Sequence, residues 1–402
     1  MSGWKEYKLF DIASIENKRR IPLNSRQRAG MQGSYPYYGA SGIVDYINDY
    51  IFDSQHVLIS EDGENLRSRQ TQIAFLVDGQ FWVNNHAHIL KGNDELINEF
   101  IAYCFQNLNI NPFITGAVQP KLNLENLLSI PIFMPSREER LELTRLLDSL
   151  DRKISNLRQQ NETLERIAQT LFKHWFVDFE FPNEDGKPYR SSGGEMVRSE
   201  LGKVPVGWRV GKLSELTTVN PRESIKKGGF IKYVDMKSLS TSSMEITDFI
   251  TREFTSGSKF RNFDTLLARI TPCLENGKTA FVNILDKNEV AYGSTEFIVI
   301  RANANCCPEY VYCLSRSLHF RDYAIKNMTG SSGRQRVPND RVEDYRLVIP
   351  TLSIVQSFHS ICNSLFLKIK SNQQQIQTLT KTRDRLLPKL MSGKLRITEG
   401  SS

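Results

Sequence analysis

Two short loops carry residue types that read or hold nucleic acid. The stretch ITGAVQPKLN, residues 114–123, places Gln119 and Lys121 after a Thr-Gly step. The stretch MTGSSGRQRVPN, residues 328–339, repeats that step and supplies Arg334, Gln335 and Arg336. Arg matches guanine edges and Gln matches adenine edges, and both, like Lys, can instead hold phosphates. Two more polar loops lie upstream in matching places. EDGENLRSRQTQ (61–72) offers Arg67, Arg69 and Gln70, and RITPCLENGKTA (269–280) offers Arg269, Asn276 and Lys278. Such side chains are ordinary on any solvated loop. The signal is their duplication in register.

Other chemistries find little support. His86 and His88 in NNHAH have no Cys or acidic cluster beside them in the sequence, so they read as core or interface histidines rather than metal ligands. The six cysteines include no Cys-x-x-Cys pair, and Cys306 next to Cys307 suits neither zinc ligation nor a disulfide framework, so no metal is expected. NPFI at 111–114 superficially resembles the Asn-Pro-Pro-Phe loop of adenine methyltransferases, but it lacks the second Pro and a glycine-rich donor loop. There is no phosphate-binding Gly-x-x-x-x-Gly-Lys-[Ser/Thr] motif. No catalytic residue is expected. A self-sufficient methyltransferase or nuclease is the weaker alternative, and a coiled-coil adaptor without DNA binding is another.

The elements that must position these loops are repeated. GWKEYKLFDI (3–12) returns as GWRVGKLSEL (207–216), each read as a Gly-Trp step into a short amphipathic helix. VNNHAHILK (83–91) aligns with GSTEFIVIR (293–301), both strand-like. After each Thr-Gly loop comes a long helical pattern. The first places Leu143, Leu147, Leu150, Ile154, Leu157, Asn161, Leu164, Ala168, Leu171 and Trp175 on a heptad seam. The second places Phe358, Cys362, Leu365, Ile369, Asn372, Ile376, Leu379, Arg383, Leu386 and Leu390 on the same grid.

Antiparallel pairing of the seams sets Asn161 against Asn372, Leu157 against Ile376, Ile154 against Leu379 and Trp175 against Phe358. It leaves one awkward pair, Leu150 with Arg383, where the Arg can snorkel outward. An Asn pair in an apolar seam costs stability but penalises other registers, so these two residues are expected to lock the register.

The fold class follows as α+β: two mixed α/β domains separated by two long antiparallel coiled-coil helices, a pseudo-twofold tandem repeat. Strands are expected near 56–60, 72–77 and 81–90, then a helix near 95–107; in the second half, strands near 230–235, 264–270, 278–285 and 295–301, then a helix near 308–326. The expected division is domain 1 over 1–135, a central helix over 136–182, a linker over 183–204, domain 2 over 205–350 and a C-terminal helix over 351–395. Helices of about 40 residues rise about 60 Å, a ruler between two similar but differing domains.

Bulk properties agree with this reading. Net charge is +7 with a pI near 9.0, which favours an anionic partner such as double-stranded DNA. Hydrophobic content of 40% and charged content of 24% are ordinary for a globular protein. There is no long uncharged apolar run and no signal-peptide pattern at the start, so a cytoplasmic location without a membrane partner is expected.

These residues carry a family likeness. YPYYGASGIVDYINDYIFD (35–53), EDGENLRSR, VNNHAHIL, DTLLARITPCLENGK (264–278), GSTEFIV (293–299), LFKHWFVDFEF and LLPKLMSGKL (386–395) resemble specificity (S) subunits of bacterial type I restriction-modification systems. The resemblance covers essentially the whole chain. It implies two target recognition domains, each reading one half of a bipartite asymmetric DNA target. It further implies a non-catalytic role beside two modification subunits, which bind S-adenosylmethionine and methylate adenine N6, and beside restriction subunits that use ATP and Mg. The aromatic cluster Trp175, Phe176, Phe179 and Phe181 is read first as a staple between a helix end and its neighbouring domain; the alternative is docking of a modification subunit at Trp175, Phe176 and Phe179, with Leu386 and Leu390 as a second such surface by pseudo-symmetry.

Overall fold

The computed structural model describes residues 3–226 and 228–397. These divide into two compact units, one formed by residues up to 155 with 377 onward, the other by 156–376. The 40-residue helices Arg137–Phe176 and Leu352–Met391 each contribute a segment to both.

In the first unit, strands Ala13–Ile15, Ala87–Gly92, His56–Ser60 and Ala74–Val77 form one antiparallel sheet in that order. A second sheet runs Gly42–Ile47, Gln32–Gly39, Gln80–Val83, Phe52–Asp53, with one parallel pairing, between Gln32–Gly39 and Gln80–Val83. Successive side chains of a strand face opposite sides. Val57 and Ile59 accordingly join Phe100 and Ile101 of helix Glu95–Asn107, while Leu58 joins Phe52, Phe81 and Val83 of the second sheet. Burying each such side chain contributes about 1.5–3 kcal/mol.

The second unit repeats this plan. Its first sheet runs Thr217–Val219, Phe297–Ala302, Thr265–Ala268, Thr279–Phe281. Its second runs Ile250–Glu253, Phe230–Val234, Ala291–Gly293, Ser258–Phe260, with the parallel pairing at the corresponding place. The alternation also recurs: Leu267 and Ile298 face the helical core, Leu266 and Val299 the other. The sheet order is therefore duplicated strand for strand.

Several expectations need correction. The Gly-Trp motifs begin strands rather than helices. Lys5–Lys8 pairs with Pro131–Met134, and Arg209–Lys212 with Arg346–Ile349, before single helical turns at Leu9–Ile12 and Leu213–Glu215. The single strand expected over 81–90 is two strands in different sheets. The break is a turn at 84–86, where the Asn84 side chain accepts from the His86 amide at 2.8 Å. The helix expected over 308–326 is interrupted at Ser317, which is extended and whose hydroxyl accepts from the Phe320 amide, starting helix Leu318–Lys326. The linker contains a hairpin, Met196–Ser199 with Gly202–Pro205.

The helical seams pack antiparallel within each unit. In the second, Asn372 is fully buried and its Nδ2 donates to Asn161 Oδ1 at 2.9 Å, while Asn372 Oδ1 has no partner. In the first, Arg383 turns away from the apolar seam and pairs with Asp151 at 2.7 Å. Replacing both Asn161 and Asn372 with Leu is expected to raise stability by about 1–2 kcal/mol, because an unsatisfied buried carbonyl disappears. It should also admit other registers. A disulfide engineered between positions 157 and 376 should form quantitatively in the parent and incompletely in the Leu/Leu variant; equal yields contradict the register role.

The second domain is also fastened to the first long helix by Glu165. Its carboxylate accepts from Tyr312 Oη at 2.5 Å, the Met244 amide at 2.8 Å and Gln169 Nε2 at 3.0 Å. Burial pushes this carboxyl above its usual range, and those donors with Arg316 only partly draw it back.

Candidate nucleic-acid interface

Each Thr-Gly loop closes on itself and on the loop that leaves a central strand. In the first unit Thr115 bridges Lys121, the Leu122 amide donates to Glu61 O at 2.8 Å, and Arg67 Nη2 donates to Gly116 O at 2.8 Å. In the second, Thr329 bridges Arg336, the Val337 amide donates to Arg269 O at 2.9 Å and the Thr271 amide to Gln335 O at 3.0 Å. Gly116 and Gly330 hold φ of 84° and 118°, values that favour glycine, and a Cβ on Gly116 would lie 2.1 Å from Gln119 O. The repeated Thr-Gly is thus a backbone requirement of this turn.

The two sites differ at three corresponding positions. Glu61 and Arg269 each follow a central strand, and their amides donate to the carbonyls of His86 and Glu296 respectively. Lys121 and Arg336 occupy the bridging place. The first unit therefore sets Glu, His and Lys where the second sets Arg, Glu and Arg.

Local pairing follows these charges. Lys121 lies 3.4 Å from Glu61, which Arg20 also holds at 2.6 Å, and His86 pairs with Asp62 at 2.8 Å. Burial raises the Glu61 carboxyl, but the hydrogen bond and charge of Arg20 with the nearby Lys121 outweigh it and leave it below the usual range. In the second unit Arg336 grips Glu296 through contacts of 2.6–2.9 Å and lowers its carboxyl. Glu61, His86 and Glu296 were not among the candidate residues. The alignments of 83–91 with 293–301 and of 61–72 with 269–280 already juxtaposed these positions, and a charge difference at aligned sites was the available signal.

The candidate residues separate by environment. Gln70, Gln119, Asn276 and Arg334 are exposed, and no hydrogen bond or ion pair of their side chains is formed among the described residues. Gln335 is half-buried. Arg67, although exposed, is engaged in tying the two loops. Lys278 turns inward to the Met236 carbonyl at 2.9 Å, and Arg269 donates to Val337 O at 2.9 Å while its Nε is buried without a partner.

Arg69 is held within its own domain. It adopts φ 51°, and its guanidinium donates to the carbonyls of Phe105, Gln106 and Leu108 at the end of helix Glu95–Asn107. Those carbonyls lack intrahelical partners, so a charged donor is well used there.

The aromatic residues at the end of the first long helix make the contacts of a staple. Trp175 and Phe176 are buried, with Phe176 rings 4.8 Å from Tyr310, 5.1 Å from Phe358 and 6.0 Å from Trp208. Phe179 is half-buried edge-on to Trp208. Leu390 is fully buried in the first unit's core, with Leu386 packed at its margin. The aromatic surplus exists because this helix end is covered both by the C-terminal helix and by its domain, which two faces of side chains must fill.

His88 belongs to the core. Its Nε2 donates to Leu122 O at 2.7 Å and Nδ1 accepts from Asn17 at 2.9 Å, the pattern of a neutral ring. Burial, as the leading cause, lowers the basicity of both His88 and His56. The unfolded chain therefore takes up protons that the folded chain refuses. Stability conferred by these rings is complete above the unfolded value near 6.5 and is lost as pH falls below it, by up to about 1.4 kcal/mol per pH unit per proton. Protection factors of strands His56–Ser60 and Ala87–Gly92, measured relative to the intrinsic exchange rate at each pH, should fall between pH 7 and 5.5. His88→Gln, which can still donate to Leu122 O, should reduce that slope, and an unchanged slope would contradict the assignment.

Repeated scaffolds with unlike loop charges define a two-domain recognition protein. A sequence model described as the type I restriction modification DNA specificity domain matches residues 1–166 and again 205–381. The type I restriction enzyme MjaIX specificity subunit of Methanocaldococcus jannaschii is 31% identical over 322 residues, 76% of this chain and 71% of that protein. The HindI specificity subunit of Haemophilus influenzae is 22% identical, covering 98% of this chain and 100% of the relative. The crystal structure of a type I restriction-modification S subunit from M. genitalium shares the fold, with a TM-score of 0.60, 12% identity and 96% coverage of each chain. The chain belongs to the type I restriction-modification DNA specificity family and carries two copies of its domain. Proteins of this family are the non-catalytic, DNA-specificity components of their enzymes. Among the described residues, no helix is long and apolar enough to cross a membrane.

Proposed function

We propose that each domain of this chain reads one half of a bipartite, asymmetric DNA target, and that the paired helices set the spacing between the halves. The observation that carries this reading is the duplicated loop scaffold with Glu61, His86 and Lys121 in one copy and Arg269, Glu296 and Arg336 in the other. One backbone presents two different electrostatic faces, as two different half-sites require. DNA contact is assigned to Arg334, Gln335, Gln119, Gln70 and Asn276, a reading supported by their exposed or half-buried loop positions, while Arg336, Arg67 and Lys121 shape the loops that carry them. The chain docks two modification subunits along its helices, outside the buried aromatic cluster. Those subunits bind S-adenosylmethionine and methylate adenine N6, and restriction subunits supply ATP- and Mg-dependent cleavage, all in the cytoplasm.

Exchange of residues 1–135 for those of another family member tests this reading. The hybrid, assembled with its modification subunit, should methylate a target altered in one half only. A target changed in both halves, or in neither, contradicts it.

A further inference from the structure

The second domain brings together three side chains from two helices that the recognition role does not use. Cys307 sits at the N-cap of helix Pro308–Arg316, Glu309 lies in its first turn, and His359 comes from helix Leu352–Met391. Their ligating atoms lie within 4.8 Å of one another, and His359 Nδ1 is 2.8 Å from Glu309 Oε2. Cys307 and Glu309 are buried, at 5% and 2% exposure, while the His359 side chain is about half open.

We propose that Cys307, Glu309 and His359 form a divalent-cation site of the zinc class, with the fourth position left to water. The donor set is one thiolate, one imidazole and one carboxylate, each an ordinary Zn²⁺ ligand at about 2.0–2.3 Å. Such bond lengths place donors roughly 3.3–3.8 Å apart, within reach of modest side-chain rotation from the observed spacing.

Two features favour a cation over a simple ion pair. A buried charge is normally paired or metal-bound, and the Glu309 carboxylate has one half-exposed imidazole as its partner and a thiol beside it. Cys307 also departs from the capping role. At the corresponding position of the first domain, Asp94 caps helix Glu95–Asn107 by accepting from the Ile97 amide at 2.8 Å, whereas Cys307 makes no side-chain cap bond. Burial and its neighbours hold the Cys307 thiol protonated, and a bound dication would reverse this by stabilising the thiolate. The cation would tie helix Pro308–Arg316 to the C-terminal helix within this domain.

Cobalt(II) titration of the purified full-length chain, stripped with chelator, tests the site. One equivalent should bind with a near-ultraviolet thiolate-to-cobalt band that Cys307→Ser removes and Cys273→Ser leaves intact. His359→Ala keeps the buried pair and should fold; it should weaken binding by at least ~10-fold, since even outer-shell changes cost 10–100-fold. Absence of stoichiometric binding, a thiolate band that survives in a folded Cys307→Ser protein, or unchanged affinity in His359→Ala would overturn the site.

Discussion

Replacing Arg334 and Gln335 together with alanine is expected to weaken binding to the cognate target by about 10- to 100-fold and to relax one half of the recognised sequence. A base-edge contact by Arg or Gln contributes about 1–3 kcal/mol of discrimination. Arg334 is the exposed guanidinium of the second Thr-Gly loop, and its side chain makes no contact within the described residues. The half read by the first domain should stay unchanged. Arg69→Ala makes the contrast. It removes a donor to three helix-end carbonyls and should cost about 2 kcal/mol in stability while leaving both halves of the target intact. Competition binding with targets mutated in either half, at fixed salt because phosphate contacts are salt-dependent, separates the two outcomes. Equal loss on all sequences would make Arg334 a phosphate contact.

Phe176→Ala should destabilise the second domain by about 3–5 kcal/mol, the usual cost of emptying a buried aromatic position. Its ring touches Tyr310, Phe358, Phe172 and Trp208, so the cavity opens where the long helices meet their domain. Phe179→Gly should cost less, because Phe179 is half-buried and holds φ 61°, a left-handed conformation that glycine adopts freely. Urea unfolding followed by tryptophan fluorescence measures both. A Phe176→Ala cost under about 1 kcal/mol would favour the docking role over the staple.

What the sequence disclosed was mostly periodic. The heptad seams, the Asn161–Asn372 pairing and the duplicated Thr-Gly loops are repeats, and repeats survive without three-dimensional context. Failures arose where a residue's environment depends on distant chain. Arg69 stands among exposed polar neighbours, but its left-handed backbone turns it onto a helix end. Leu390 lies on the seam but is also walled by the first domain's core. The break at 84–86 is written as Asn84-Asn85-His86 between two apolar stretches, a turn composition masked because the strands on either side of it directly abut. Cys307 and His359 meet only because two helices pack together, which no local spacing could reveal.

Two unlike readers on one repeated scaffold should write their difference into the methylated target. The most direct test is methylome sequencing of a methylation-free bacterial host that expresses this chain with its modification subunit, and the same host with that subunit alone. A bipartite, asymmetric N6-methyladenine motif appearing only when both are present is the predicted result. Assembly of the complex without any motif, or a motif that the modification subunit produces alone, would contradict it.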